Sequence, residues 1–425
     1  MTKMTERPLN FCMITTFYPP YHFGGEAMYL YRLNNALAQR GHRVTIVHCV
    51  DSYRLQGPAG SRGQFPHHPN VTVHSLRHPL GWLSPLVTYL SGRPGLKSAA
   101  LNRIFSAEHF DVVHFHLVTL FGPGVLRYGE GSLRVYTTHD HWLVCPMYDL
   151  WKQKRELCET PACLRCTLSN RRPPQLWRYT NLLDRTLPRV DLFLSPSRST
   201  IEQHRRRGFS YPMRHLPYFL PLVESTEVPE PADSPTGRPY FLFVGRLVKI
   251  KGAQTLIEAF RRYPEADLLI AGDGLYEPEL RRLAEGMRNV HFLGRIQPDA
   301  LRRLYRDAIA LLVPTMVYET FGFITLEALG QRTPVIARDL GAVSEVVHET
   351  GGGITYRSED ELLDAMTLLQ ANRVLRDELG TTGYEAYIAR YSEETHVKAY
   401  IEAIDEAEAI KRGRPASPSL HSREL

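Results

Sequence analysis

Short apolar runs alternate with longer stretches in which apolar residues recur every three or four positions, and the alternation occurs twice along the chain. In the first half, residues 10–15, 44–50, 111–116, 133–138 and 190–195 have the length and apolar content of buried strands. In the second half, residues 240–244, 267–271, 290–293, 309–313 and 334–337 repeat that pattern. Between the first two runs Met28, Leu30, Leu33, Leu37 and Ala38 fall at helical spacing, ended by Gly41-His42. Residues 173–188, entered through a Pro pair, predict another helix, and residues 362–369, 374–391 and 393–411 predict three more. Strand alternating with helix is the signature of an α/β protein with doubly wound parallel sheets. Residues 52–70, rich in Gly, Pro, His and Gln, predict a loop. Residues 221–239, rich in Pro, Glu and Ser, predict a linker. The expected organisation is therefore a first domain over 1–220, a second over 240–392, a helix over 393–411 and a disordered tail over 412–425.

The 425 residues suit two to three domains of about 150 residues each. A hydrophobic share of 43% and a charged share of 23% are those of an ordinary water-soluble chain. Net charge is +6, compatible with an anionic ligand or membrane face, and nucleic-acid binding does not follow from it. The opening residues lack an apolar signal-peptide core and no run is long enough to span a bilayer. A cytoplasmic location is expected, with contact to the inner membrane face as a further expectation. Trp82, Leu83, Leu86, Val87, Tyr89 and Leu90 form the stripe that would make such contact; core packing is the alternative.

Candidate chemistry centres on residues 314–328, PTMVYETFGFITLEA. A strand, a loop with Glu319, and a helix from Phe323 carrying Ile324 and Glu327 follow one another. Such a junction lies at the carboxyl end of a parallel sheet, where ligands collect. The helix N-terminus suits phosphate, and Gly322, after Phe321, lets backbone approach a ligand. Gly24-Gly25 stands at the first strand-to-helix turn of the chain, with Glu26 next to it. Arg246 and Lys251 lie between a strand and an amphipathic helix, a placement that suits a diphosphate. Gly272 and Arg295-Ile296 end two further strands. His139-Asp140 ends another, at the same ligand edge. Cys145, Cys158, Cys163 and Cys166 cluster in a polar, loop-like segment over 145–170. A structural zinc, an iron–sulfur centre, a Cys163–Cys166 redox pair and reduced thiols all remain open from this spacing. Cys12 and Cys49 sit in strand patterns and read as core.

Glu319-Thr320-Phe321-Gly322 followed by Glu327-Ala328-Leu329 resembles the paired-glutamate motif of family 4 retaining glycosyltransferases. Residues 18–47, the His139-Asp140 pair, the Arg246/Lys251-Gly252 motif and residues 330–347 are similar to the same family, and a subset of it resembles the cysteine-bearing insert. The resemblance covers roughly residues 10–400 and is strongest in the second half. It implies a GT-B fold, with two Rossmann-like domains facing a central cleft and the last helix crossing back to the first domain. It implies a nucleotide-sugar donor, a glycan or lipid-linked acceptor, and transfer with retention. Catalytic roles fall on His139, Arg246, Lys251 and Glu319, His139 meeting the sugar. Donor contacts fall on Gly24, Gly25, Gly272, Arg295, Ile296, Phe321, Gly322, Phe323, Ile324 and Glu327. Glu26 and Asp140 would face the acceptor. No D-x-D pair is present, so the two cations are expected to do the work of a metal, with no catalytic cofactor. A nucleotide-sugar epimerase and a non-catalytic scaffold of the same fold are the alternatives.

Overall fold

The computed structural model of the chain describes residues 7–55, 63–221 and 235–413. The first domain runs β1 (Asn10–Ile14), α1 (Gly24–Gln39), β2 (Arg43–Cys49), α2 (Val50–Leu55), β3 (Val71–Leu76), α3 (Leu83–Ser91), α4 (Ser98–Ala107), β4 (Val112–Phe115) and β5 (Leu133–Thr137). A small antiparallel hairpin follows, β6 (Trp151–Lys152) with β7 (Glu156–Leu157), then α5 (Cys163–Ser169) and α6 (Leu182–Thr186). β8 (Leu192–Ser195), α7 (Arg198–Arg206) and β9 (Met213–His215) complete it. The second domain alternates without interruption: β10 (Tyr240–Val244), α8 (Ala253–Arg261), β11 (Asp267–Ala271), α9 (Glu277–Leu283), β12 (Val290–Gly294), α10 (Pro298–Asp307), β13 (Leu311–Val313), α11 (Phe323–Leu329), β14 (Val335–Arg338), α12 (Gly341–Thr350) and β15 (Gly353–Tyr356). Helices α13 (Glu359–Ala371), α14 (Arg373–Tyr391) and α15 (Glu393–Gly413) close the described chain.

Both large sheets are parallel. The first has the order β3-β2-β1-β4-β5-β8-β9 and the second β12-β11-β10-β13-β14-β15. β1, β4, β10, β11 and β13 are buried along their whole length, which is why these segments read as unbroken apolar runs rather than alternating ones. Strand order reverses between β1 and β4, where Phe11 pairs with both Val44 and Val112, and again between β10 and β13. At such a reversal the connections leave in opposite directions and open a crevice at the carboxyl ends of the strands. Gly24-Gly25 follows β1, Arg246 follows β10 and Glu319 follows β13, so the reversals put these groups at crevice edges.

The chain is tied across the two domains. α15 packs on the first: His396 Nε2 meets Tyr29 OH at 2.9 Å, His114 Nδ1 meets Tyr400 OH at 2.8 Å, and Lys411 Nζ lies 2.9 Å from Asp191. At the opposite side the Glu345 carboxylate of α12 accepts from the Arg198 and Ser199 N–H groups, 2.7 Å each, which open α7. An anion there meets unpaired N–H groups and the positive end of the helix.

Several local expectations are corrected. Residues 173–188 are not one helix: a 3-10 turn over Leu176–Tyr179, α6 and a second 3-10 turn over Leu187–Arg189 share them. Trp177 and Leu182 are both buried, and five residues along a straight helix would turn them well apart. The loop expected over 52–70 begins inside α2, because Ser52 and Tyr53 are buried. Strands β3, β9 and β15, at sheet edges, have weaker apolar patterns and were not legible. Most of the linker expected over 221–239, and the tail from 414, lie outside the described residues. Among the described residues no helix is long and apolar enough to cross a membrane.

Candidate active site

The loop after β13 is built around Glu319. Lys251 Nζ donates to Glu319 Oε1 at 2.7 Å and Thr315 Oγ1 donates to the same oxygen at 3.0 Å. The Glu319 backbone N–H donates to Val317 O and its carbonyl accepts from Ala342 N–H, so the turn is fixed on both sides. Lys251 sits in a 3-10 turn just before α8, and Arg246 stands exposed after β10 with its guanidinium unpaired among the described residues. Two cations therefore flank the crevice of the second sheet, one held by a carboxylate and one open to solvent.

Glu26 approaches from the first domain. Burial pushes its carboxyl up from the ordinary range; Arg246 and Lys251 pull it down and Glu319 pushes it up. These four groups thus share one field across the crevice. Asp140 belongs to the same neighbourhood: burial raises its pKa to about 7, the Trp142 N–H (2.9 Å) lowers it, and Glu26 raises it. Arg295, on the connection after β12, reaches the field of His22 in the first domain. Glu327, on α11, accepts from Tyr305 OH at 2.9 Å and faces Arg32 of α1. Its carboxyl is also raised by burial, against the lowering by Tyr305 and Arg32.

Two glycines allow close approach. Gly25 packs against the Phe323 ring: an added Cβ would lie 2.6 Å from Phe323 Cδ2, so a side chain there would push the domains apart. Gly272 has φ +143°, and its Cβ would lie 1.9 Å from Gly245 O. That contact holds the turns after β10 and β11 together beside Arg246. Phe321 and Phe323, flanking Gly322, both pack on Tyr218; the Phe323 ring stacks on it at 5.3 Å and 7°. Ile324 is half-buried in the first turn of α11 and Ile296 half-buried after β12.

His139 departs from expectation. Its ring is 3% exposed and both nitrogens are engaged: Nδ1 with Tyr218 OH at 2.5 Å and Nε2 with His116 Nδ1 at 2.8 Å. Burial lowers its pKa to about 3, so the ring is neutral. What it offers across the domains is its carbonyl, which accepts from Thr320 Oγ1 at 2.9 Å. With both ring nitrogens engaged inside the first domain, the contact this residue makes across the domains is the strut that fixes Thr320 beside Glu319. Tyr218, His116, Tyr305, Arg32 and Thr315 were missed in the sequence. Tyr218, His116, Tyr305 and Arg32 act through partners distant in the chain, which no local spacing marks, whereas Thr315 meets Glu319 four residues further along the same loop.

The cysteines gather in part. Cys145 and Cys166 share a small apolar cluster with Met147 and Leu150, and Cys158 and Tyr318 pack on it. Cys166 Sγ accepts from Gln153 N–H at 3.3 Å, and burial pushes the Cys145 thiol up to about 12. All four cysteines of the insert are free thiols. Among the described residues no group of three or more His, Cys, Asp or Glu side chains is placed to hold a metal ion.

Two family models match in series. Residues 23–218 match Glycosyltransferase Family 4 and residues 224–386 match Glycosyl transferases group 1. The fold is the two-domain GT-B fold, and each of its domains is matched by one of these two glycosyltransferase models. An uncharacterised glycosyltransferase of Methanocaldococcus jannaschii is 34% identical over 166 residues, 37% of this chain and 40% of that protein. Alpha-maltose-1-phosphate synthase of Mycolicibacterium smegmatis is 25% identical over 420 residues, 90% of this chain and 96% of that protein. Phosphatidyl-myo-inositol mannosyltransferase of Mycobacterium leprae is 32% identical, over 41% of this chain and 49% of its own length. Apart from the maltose-1-phosphate synthase, the chain spans about half or less of the length of most such relatives. Among solved structures, sucrose-phosphate synthase from Thermosynechococcus elongatus overlays with a TM-score of 0.72 at 20% identity, covering 95% of this chain and all of that one. HepE of Anabaena, solved with UDP and glucose, overlays at 0.62 and 15% identity, covering 95% and 99%.

Proposed function

We propose that the chain moves a sugar from a nucleoside-diphosphate sugar to an acceptor hydroxyl, with retention at the anomeric carbon. The observation that carries this reading is the shared field of Arg246, Lys251, Glu319 and Glu26 where the two sheet crevices meet. Arg246 and Lys251 lie where a leaving diphosphate needs countercharge, and they supply it without reorganisation. Glu319, steadied by Lys251 and Thr315, accepts from the donor sugar's hydroxyls. Glu327 keeps lone pairs free beside Tyr305 for a ribose diol. Glu26 and Asp140 face the acceptor from the first domain. In this reading no side chain is assigned as a nucleophile, and the acceptor oxygen attacks from the face the phosphate leaves. The C1–O bond to phosphate breaks, the C1–O bond to the acceptor forms, and the acceptor proton passes to the departing phosphate oxygen. Close contact between Gly25 and Phe323 holds the two domains together beside that step.

The solved complex of HepE with UDP and glucose supports a nucleoside diphosphate as leaving group. The relatives' names, among them a lipopolysaccharide core glycosyltransferase of Rhizobium meliloti, support surface polysaccharide or glycolipid synthesis as the setting. The test is a thermal-shift panel of UDP-, GDP- and ADP-sugars followed by product analysis. One donor class should raise the melting temperature by mass action and yield a glycoside. An epimerised donor formed without acceptor, or no shift with any donor at millimolar concentration, would overturn the reading.

A further inference from the structure

α3 is turned inside out. Its buried face is Ser84, Pro85 and Thr88, while Leu83, Leu86 and Val87 are half-exposed and Leu90 and Trp82 are 46% and 64% exposed. A helix on a water-soluble domain does the reverse, placing its apolar stripe on the core. The inward side is polar because it holds a buried cation: Lys97 Nζ donates to Thr88 Oγ1 at 2.8 Å and to Ser84 O at 3.3 Å. The outward side continues beyond the helix. Leu80 and Leu55 are exposed, and Leu55, Arg54, Arg77, Pro79 and Trp82 line one open cavity of about 600 Å³. Leu176 and Tyr179 stand exposed on the turn that docks on α3 through Trp177 Nε1 and Tyr89 O at 2.9 Å. Six of the thirteen large apolar side chains that stand exposed among the described residues thus lie around this one helix. A concentration of that kind marks an interaction face.

Charge identifies what it meets. Residues 52–107 contain no Asp or Glu and six Lys or Arg. At the chain's own frequency, 45 acidic residues in 425, about six acids are expected in such a stretch. Arg54, Arg77 and Arg93 are exposed along the rim of the apolar face. Asp51, at the cavity floor, is buried and accepts from the His78 N–H at 2.8 Å. An apolar stripe with a Trp, rimmed by cations and built on a stretch, residues 52–107, that supplies no carboxylate, is complementary to an anionic lipid surface. A protein interface has no comparable need to exclude acidic residues.

We propose that the face formed by α3, Leu55, Leu80 and Trp82 docks on an anionic bilayer. Trp82 and Leu90 enter the headgroup layer, and Arg54, Arg77 and Arg93 meet lipid phosphates. Arg77 also donates to Tyr21 OH at 2.8 Å, and Tyr21 leads into Gly24-Gly25, so docking sets the bilayer beside the cleft. This inference stands on surface composition alone and survives or fails independently of the sugar-transfer reading.

The full chain is floated with vesicles of phosphatidylcholine alone and of phosphatidylcholine with about one third phosphatidylglycerol. Binding is expected to the second and not the first, weakened at about 0.5 M salt. The double variant Trp82→Ser/Leu90→Ser should bind about tenfold or more weakly with an unchanged melting temperature. Leu275→Ser, which removes a 98% exposed leucine of the second domain, should bind like the parent. A second readout needs no variant: Trp142, Trp151 and Trp177 are buried, so brominated anionic lipid should quench the fluorescence of Trp82 selectively. Absence of binding to anionic vesicles, equal binding by the double variant, or no quenching by brominated lipid would overturn the proposal. So would self-association of the parent that the double variant abolishes, which would assign the face to a second copy.

Discussion

Lys251 Nζ lies 2.7 Å from Glu319 Oε1, so a cation suited to a diphosphate and a carboxylate suited to a sugar hold each other directly. Both side chains keep about a quarter of their surface in water, 26% and 21%, and such a pair adds little to stability. Its importance is placement: 68 residues apart in sequence, the two groups arrive at one point from turns on neighbouring strands.

Lys251→Met removes a charged donor but little packing. It should weaken binding of the nucleoside diphosphate of whichever donor class the thermal-shift panel selects by about 10- to 100-fold, the loss of one hydrogen bond to a charged group, with the melting temperature of the free protein nearly unchanged. Calorimetric titration reads the first and a thermal melt the second. Affinity within twofold of the parent would remove Lys251 from the phosphate site.

Asp140 makes stability depend on pH. Its folded pKa is raised to about 7 from the ordinary carboxylate value, chiefly by burial, with Glu26 and Asp149 adding to the rise and the Trp142 N–H and Arg178 opposing it. A raised acid binds its proton more tightly folded than unfolded. Its contribution is therefore full in acid, falls as pH climbs through the window between those values, and is exhausted above about pH 7. Asp140→Asn should flatten that fall and raise the melting temperature at pH 8 relative to the parent. Parallel melting profiles for the two proteins would contradict it.

Tyr218→Phe tests the strut. It leaves His139 Nδ1 buried without its partner, which costs about 1–3 kcal/mol. If His139 acts by fixing Thr320 rather than by touching the sugar, turnover should fall while affinity for the nucleoside diphosphate of the selected donor class stays within about threefold of the parent. Equal loss of both would place the ring at the donor instead.

Much of this arrangement was legible before any coordinates, and the physical reason is the parallel sheet. Buried on both faces, β10 and β11 are pure apolar runs, and their bounds coincide with the runs read from the chain. Glycine and charge directly after such runs mark the ligand edge, which is how Arg246, Lys251 and Glu319 were found. What could not be read depends on pairing across distance. Tyr218 is an ordinary aromatic until His139 folds against it, and His139 passes for a substrate ligand until His116 occupies its second nitrogen. The cysteine spacing leaves several readings open, and the clustering of Cys145 and Cys166 with Met147 and Leu150 depends on packing that spacing does not show.

Glu345→Ala tests the tie between domains. It strips the anion from the start of α7, where the Arg198 and Ser199 N–H groups meet it. The expected cost is about 1–2 kcal/mol. Calorimetry should show a lower transition temperature and a broader, less cooperative transition than the parent.

The central claim is that the crevice groups stabilise a departing nucleoside diphosphate while Glu319 holds the sugar. The most direct measurement is the rate of nucleoside diphosphate release from UDP-, GDP- and ADP-sugars by the parent, Glu319→Ala and Arg246→Ala. The account predicts turnover of at least one donor by the parent and a fall of about a thousandfold in each variant. Near-parental rates in either variant, or a parent that turns over none of the three donor classes with any glycan or lipid-linked acceptor supplied, would contradict it.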